Sequence, residues 1–178
     1  MITYAMFSRQ GKRENNEDCI RMKEKKGASV FLLADGLGGH GAGEVASQMT
    51  VEYGAGLFEQ MEVYDRYLPD LFENSQRRLL DRQRLYHASE QMKTTLVALL
   101  IDGEKASWAH IGDSRLYFFE NGFLKKRTAD HSVPQMLVKS GEISEEEIRT
   151  HPDRNRLLRV IGSEWTEDSY DLSSVIQL

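Results

Sequence analysis

The stretch from Thr94 to Thr128 constrains the fold most, because its hydrophobic period and its turn residues leave one topology. "TTLVALLI" (Thr94–Ile101) reads as a buried strand, Asp102-Gly103 as a turn, and "ASWAHIG" as the next strand. "RLYFFE" follows, then Asn121-Gly122, then "FLKKRT". Asn-Gly between two such runs is a strong hairpin signal, since both positions tolerate positive φ. Strands this closely spaced form an antiparallel meander, because parallel neighbours need a crossover of a dozen or more residues.

The rest of the chain fits around it. Asp18–Lys23 and Ser29–Ala34 read as strands joined by the charged turn "KEKKG". Gly43 to Glu59 reads as a helix whose buried stripe is Val45, Met49, Tyr53 and Leu57, and Tyr67 to Glu90 as a second. The polar "RRLLDRQRLYH" part of that second helix is expected on the surface. Val133–Ser140 is a short helix closed by Gly141, and Ser144-x-x-Glu147 is a capping box opening another. One more strand is expected near Ser169–Leu172. The fold class is therefore α+β. At 178 residues a single domain covering 1–178 is expected. The net charge of −5 argues against broad nucleic-acid or anionic-membrane binding. The lone cysteine, Cys19, precludes an internal disulfide and suits a reducing compartment, so a cytoplasmic setting is expected. "MITYAMFSRQGKRENNED" has no apolar core flanked by basic residues, so no signal peptide is expected, and no apolar run approaches membrane-spanning length.

"VFLLADGLGGHGAGEVA" (Val30–Ala46) contains G-x-G-x-x-G, the dinucleotide fingerprint. That use is disfavoured. Two helices follow the loop where a β-α-β unit would be needed, and Asp35 would face the pyrophosphate. A carboxylate at a strand end beside glycines suits a hard cation such as Mg²⁺ or Mn²⁺ instead, with the Gly36 carbonyl as a further oxygen ligand. Further acidic groups stand at other strand ends: Glu17 and Asp18 in "RENNED", Asp113 in "HIGDSRLY", and Asp130 beside His131 in "TADHS". Taken singly, Asp18 fits a turn cap, Asp113 an Asp-Ser turn, and His40 and His131 loop positions. His87, His110 and His151 read as structural.

Taken together, "RENNEDC", "FLLADGLGGHGAGEVAS", "MKTTLVALLI", "AHIGDSRLYFF" and "TADHSVPQMLVKSGEISEEEIRTHPDRNRLLRVIG" occur in an order that closely resembles the bacterial metal-dependent serine/threonine protein phosphatases of type 2C. The resemblance covers nearly everything from Gly11 to Gly162. It implies two packed antiparallel sheets flanked by helices, an α-β-β-α sandwich. It also implies hydrolysis of phosphoserine and phosphothreonine on proteins by a metal-bridged water, with two Mn²⁺ or Mg²⁺ ions and a third in bacterial members. By motif, Asp35 matches the bridging carboxylate and Gly36 the backbone-carbonyl ligand. Glu17 and Asp18 match the first acidic pair, Asp113 the aspartate of the third ion, and Arg13 the arginine that grips phosphate. His40 matches a general acid. Ser132–Asn155 matches a flap bearing on substrate choice, with Asp130 and His131 structural at its base. The implied partners are phosphorylated proteins, substrates of a serine/threonine kinase. Two departures stand out. Lys93 replaces the usual glycine, where a local accommodation is expected. The two later metal-binding aspartates have no counterpart, since no Asp-Asn pair occurs, so the C-terminal part of the fold is expected to be missing and association through an exposed sheet edge follows. A fragment, a natural short form and a site completed by another chain are the three explanations. A non-catalytic regulatory or binding module is the rival function.

Overall fold

The computed structural model describes residues 2–38, 42–87, 91–166 and 169–178. Two long strands, β1 (Asp18–Lys25) and β2 (Ala28–Leu37), form a hairpin, followed by helices α1 (Ala42–Gln60) and α2 (Tyr67–Tyr86). The meander then supplies β3 (Lys93–Thr94), β4 (Leu96–Asp102), β5 (Lys105–Ile111), β6 (Tyr117–Glu120) and β7 (Phe123–Arg127). Helix α3 (Val133–Ser140) and the short strands β8 (Asp171–Leu172) and β9 (Ile176–Gln177) complete the described elements. The main sheet runs β1-β2-β4-β5-β8, antiparallel throughout, with β3 extending the pairing of β2 and β9 that of β5. The α+β class and antiparallel pairing are those expected from the sequence.

Period-2 alternation decides which face is buried. Ala28, Val30, Leu32 and Ala34 of β2, with Leu96, Ala98 and Leu100 of β4, point into one core with α1 and α2. The opposite face carries Phe31, Leu33, Val97 and Leu99, which with Met6, Phe7 and Leu116 line a cleft of about 310 Å³. Leu33 is 41% exposed there. Strands β6 and β7 leave the main sheet as a separate two-stranded ribbon, turned by Asn121 (φ 51°) and Gly122 (φ 80°).

Four expectations need correcting. The buried face of α1 is Ala46, Thr50, Val51, Gly54, Ala55 and Phe58; Met49, Tyr53 and Leu57 are only half-buried and Val45 is exposed. The cause is close packing: a Cβ on Gly54 would lie 2.8 Å from Leu71 Cδ1 and 3.0 Å from Leu32 Cδ1, so small residues face both the sheet and α2. Helix α2 ends at Tyr86, with His87 in the left-handed conformation. Its polar stretch is not all surface, because Leu79 and Gln83 are buried. The helix expected after Ser144 is one 3₁₀ turn, Glu146–Thr150, although the Glu147 carboxylate does accept the Ser144 N–H at 2.8 Å. Helix α3 matches its expected bounds, with Ser132 accepting from the Gln135 N–H and Gly141 at φ 79° closing it.

Candidate active site

Asp18 and Asp35 are direct cross-strand partners at the open end of the β1–β2 hairpin. Like charges directly opposite are normally avoided. Here the pair is surrounded by further acid. Burial, then the charge of Asp18, then that of Asp113, then a hydrogen bond to Asp18 raise the Asp35 carboxyl from its ordinary 3.8 to about 6, and Arg13 opposes the rise. Strands β1 and β2 and the loop after β5 thus bring Asp18, Asp35 and Asp113 into one field, with Arg13 as the nearby cation. Burial also raises the Asp113 carboxyl; the neighbouring Asp130 adds to this, while its own backbone N–H and Arg115 oppose it.

The glycines around Asp35 serve close packing. A Cβ on Gly36 would lie 2.1 Å from the Gly43 carbonyl oxygen, so the first turn of α1 presses directly on the strand end. The Gly36 N–H donates to the Glu17 carbonyl at 3.0 Å, and the Ser47 hydroxyl donates to the same carbonyl at 2.6 Å. A Cβ on Gly43 would meet Glu17 Oε1 at 2.8 Å, which places that carboxylate over the helix start. Glu17, Asp18, Asp35, Gly36 and Asp113 therefore share one end of the sheet. Arg13 sits on the preceding turn, where the Gln10 side-chain amide donates to its carbonyl at 2.7 Å. His40 lies outside the described residues. The donor set is carboxylate and carbonyl oxygen without sulfur, the set preferred by Mg²⁺ and Mn²⁺. Carboxylates this crowded, one of them held half-protonated near pH 6, fit a bound hard cation that would relieve their repulsion.

Asp130 and His131 were legible in the sequence as structural, but Arg115 and the other partners they hold were not. Arg115 grips Asp130 with two bonds of 2.6 Å, a bidentate pair beside Asp113. A second cleft, of about 520 Å³, opens there and is lined by Asp113, Arg149 and Arg154 among others. His131 both donates its backbone N–H to the Gly112 carbonyl at 2.9 Å and accepts the Gly112 N–H at Nδ1, 3.3 Å away. Its Nε2 faces Asp171 Oδ1 at 3.3 Å, and its ring stacks on His110. With Nδ1 taken by an N–H, the His131 proton stays on Nε2; burial and then His110 lower its pKa to about 4. Backbone pairing of Asp171 with His110 holds β8 beside these rings. The proximity of two histidines to "GDSR" and "TADH" was visible in the sequence, but their stacking was not.

The model of the protein phosphatase 2C family matches residues 8–152. A serine/threonine phosphatase, Stp, of Listeria monocytogenes is 35% identical over 163 residues, covering 85% of this chain. The chain spans 63% of that relative's length. Among solved structures, the serine/threonine phosphatase Stp1 from Staphylococcus aureus is 30% identical with a TM-score of 0.87, covering 97% of this chain and 70% of that one. The catalytic domain of the serine/threonine protein phosphatase PstP, in complex with two manganese ions, is 31% identical with a TM-score of 0.77, covering 93% of this chain and 67% of that one. No helix among the described residues is long and apolar enough to cross a membrane. The matched model, the shared fold and the carboxylates gathered at one sheet end agree: this chain belongs to the protein phosphatase 2C family.

Proposed function

We propose that the chain hydrolyses phosphoserine and phosphothreonine on proteins with the help of Mn²⁺ or Mg²⁺. The observation that carries this reading is the convergence of Asp18, Asp35 and Asp113 next to Arg13. Asp35 and the Gly36 carbonyl would hold a central cation, with Glu17 and Asp18 supporting it and Asp113 available to a further ion. The two manganese ions named for the PstP structure support a pair of ions here; the third, at Asp113, is proposed from the resemblance alone. When bound, such cations lower the pKa of water and neutralise charge on phosphoryl oxygens. The protein's own part is positioning. Arg13 presents a guanidinium that makes two parallel bonds to phosphate oxygens, and the carboxylates would hold the cations beside it. His40 is the proposed proton donor to the leaving alkoxide. The proposed partners are phosphorylated proteins made by a serine/threonine kinase. A reducing, cytoplasmic setting suits the lone half-buried Cys19.

The test is phosphate release from a phosphothreonine peptide and from a phosphorylated aryl ester, with Mn²⁺ or with chelator, by the 178-residue chain and by Asp35→Asn. Weak Mn²⁺-dependent release is expected, since two of the metal-binding aspartates have no counterpart among these 178 residues, and Asp35→Asn should abolish it. Release that persists in Asp35→Asn refutes the assignment. Mn²⁺ uptake without release from the parent chain supports a non-catalytic binding module instead.

A further inference from the structure

The strand ladder beside Asp35 has one irregular rung. Leu33 pairs with Val97 and Gly36 pairs with Thr94, so Asp35 faces Thr95. In an antiparallel rung of this kind the two residues exchange both N–H···O bonds. One is made: the Thr95 N–H donates to the Asp35 carbonyl at 2.9 Å. The other is not. The Asp35 N–H donates instead to the Thr95 hydroxyl, at 3.0 Å. The Thr95 carbonyl, left out of the rung, accepts the Thr94 hydroxyl at 3.0 Å.

The same Thr95 hydroxyl lies 2.9 Å from the Ser114 hydroxyl, in hydrogen-bond contact. Ser114 follows Asp113 directly. The methyl of Thr95 closes the other side of that loop: a Cβ on Gly112 would be 2.5 Å from Thr95 Cγ2. Thr95 is completely buried. One side chain therefore touches the backbone of Asp35 and both chain neighbours of Asp113.

We infer that Thr95 is a positioning residue that sets the spacing between the Asp35 strand end and the Asp113 loop, and so sets the cation affinity of the site. The inference rests on the metal-site reading proposed above. A ladder bond made by a carbonyl would hold Asp35 to its neighbouring strand only. A hydroxyl can accept from Asp35 and still bond Ser114, so it joins two elements that carry separate ligands. Outer partners of this kind orient ligands they do not replace.

The test is Mn²⁺ calorimetry on the full 178-residue chain, with melting in chelator measured alongside. Thr95→Val keeps the shape and removes the hydroxyl; it is expected to weaken Mn²⁺ binding about tenfold or more, as loss of an outer partner does. Thr95→Ser keeps the hydroxyl and is expected to stay within about threefold of the parent on the same scale. Tyr67→Phe is the control: it deletes another buried hydroxyl bond, 2.9 Å to the Gly54 carbonyl in the helix layer, and is expected to lower melting without changing affinity. Equal losses in Tyr67→Phe and Thr95→Val would reduce the effect to general destabilisation and overturn the inference. Parent-like affinity in Thr95→Val, with uptake abolished in Asp35→Asn, overturns the positioning role alone. Uptake that survives Asp35→Asn, or a parent chain that takes up no Mn²⁺, overturns the metal-site reading and this inference with it. Where Thr95→Val does not fold, Ser114→Ala replaces it, and unchanged affinity there overturns the coupling.

Discussion

Removing the charge of Asp35 should stabilise the cation-free protein, and only above a defined pH. In the folded chain its carboxyl titrates near 6 in place of the ordinary 3.8, because burial and the charges of Asp18 and Asp113 disfavour the carboxylate. Below pH 4 the folded and unfolded chains both keep this proton, so the group is neutral in the balance. Between about pH 4 and 6 the unfolded chain releases the proton while the folded chain retains it, so stability falls as pH rises. Above about 6 the full deficit persists. Two pKa units correspond to roughly 3 kcal/mol, and solvent access to this half-buried group reduces that to about 1–2 kcal/mol. Asparagine is close in shape, cannot ionise, and can still donate to the Asp18 carboxylate. Asp35→Asn should therefore melt about 2–8 °C above the parent at pH 7.5 in chelator, at roughly 2–4 °C per kcal/mol for a chain of this size. At pH 4 the two should melt together. Adding Mn²⁺ should reverse the order at pH 7.5, because only the parent gains stability from binding. Circular-dichroism melts at the two pH values, with chelator and with Mn²⁺, measure all three. A variant that melts below the parent in chelator at pH 7.5, or a gap of equal size at both pH values, refutes the reasoning.

Arg13→Ala should raise the Michaelis constant for a phosphopeptide more than it lowers turnover and leave Mn²⁺ affinity unchanged; steady-state kinetics with calorimetry separate the two. Asp130 is 8% exposed and holds Arg115 bidentately, so Asp130→Ala should cost about 2–4 kcal/mol in denaturant melts, and Arg115→Lys should recover little of a comparable loss because it cannot form both bonds. Leu79→Ala removes a fully buried side chain that packs α2 against Met49 and Thr50 of α1 and against Gly162, and should cost about 3–5 kcal/mol in the same assay.

What the sequence disclosed depended on whether the signal was local. The Asn121-Gly122 turn and the Gly141 cap are decided within four residues, and each formed where its chemistry predicts. Asp18, Asp35 and Asp113 were legible as candidates because each stands at a boundary marked by glycine or asparagine. The face of α1 was not legible. Choosing the large apolar residues presumes one packing surface, whereas Gly54 lies between Leu32 and Leu71 and demands that nothing larger stand there. Nor could the buried glutamines of α2 be read. Gln76 and Gln83 bond Gly162, Ser163 and Met92, partners up to 87 residues away, so their polarity pointed outward while their hydrogen bonds lay inside. Thr95 was read as one more buried strand residue, because a hydroxyl that replaces a carbonyl in the ladder leaves no mark on hydrophobic periodicity.

The β6–β7 ribbon has a consequence for how the molecule breathes. Its side chains are largely in water, with Phe123 72% exposed, and its register shifts between Phe118 and Phe119. Little apolar area holds it down beyond the Lys126 ammonium over the Trp108 ring. Such a segment opens at a small fraction of the global unfolding free energy. Its amides should exchange with deuterated solvent long before those of β2 and β4. The opening has a fixed lower end, however. The Leu116–Thr128 bonds, the Arg115–Asp130 pair and the His131–Gly112 bonds stand in sequence between the ribbon and Asp113. Amide exchange should therefore fall sharply from Phe119 toward Gly112, and a hairpin that comes and goes leaves the carboxylates behind it in place.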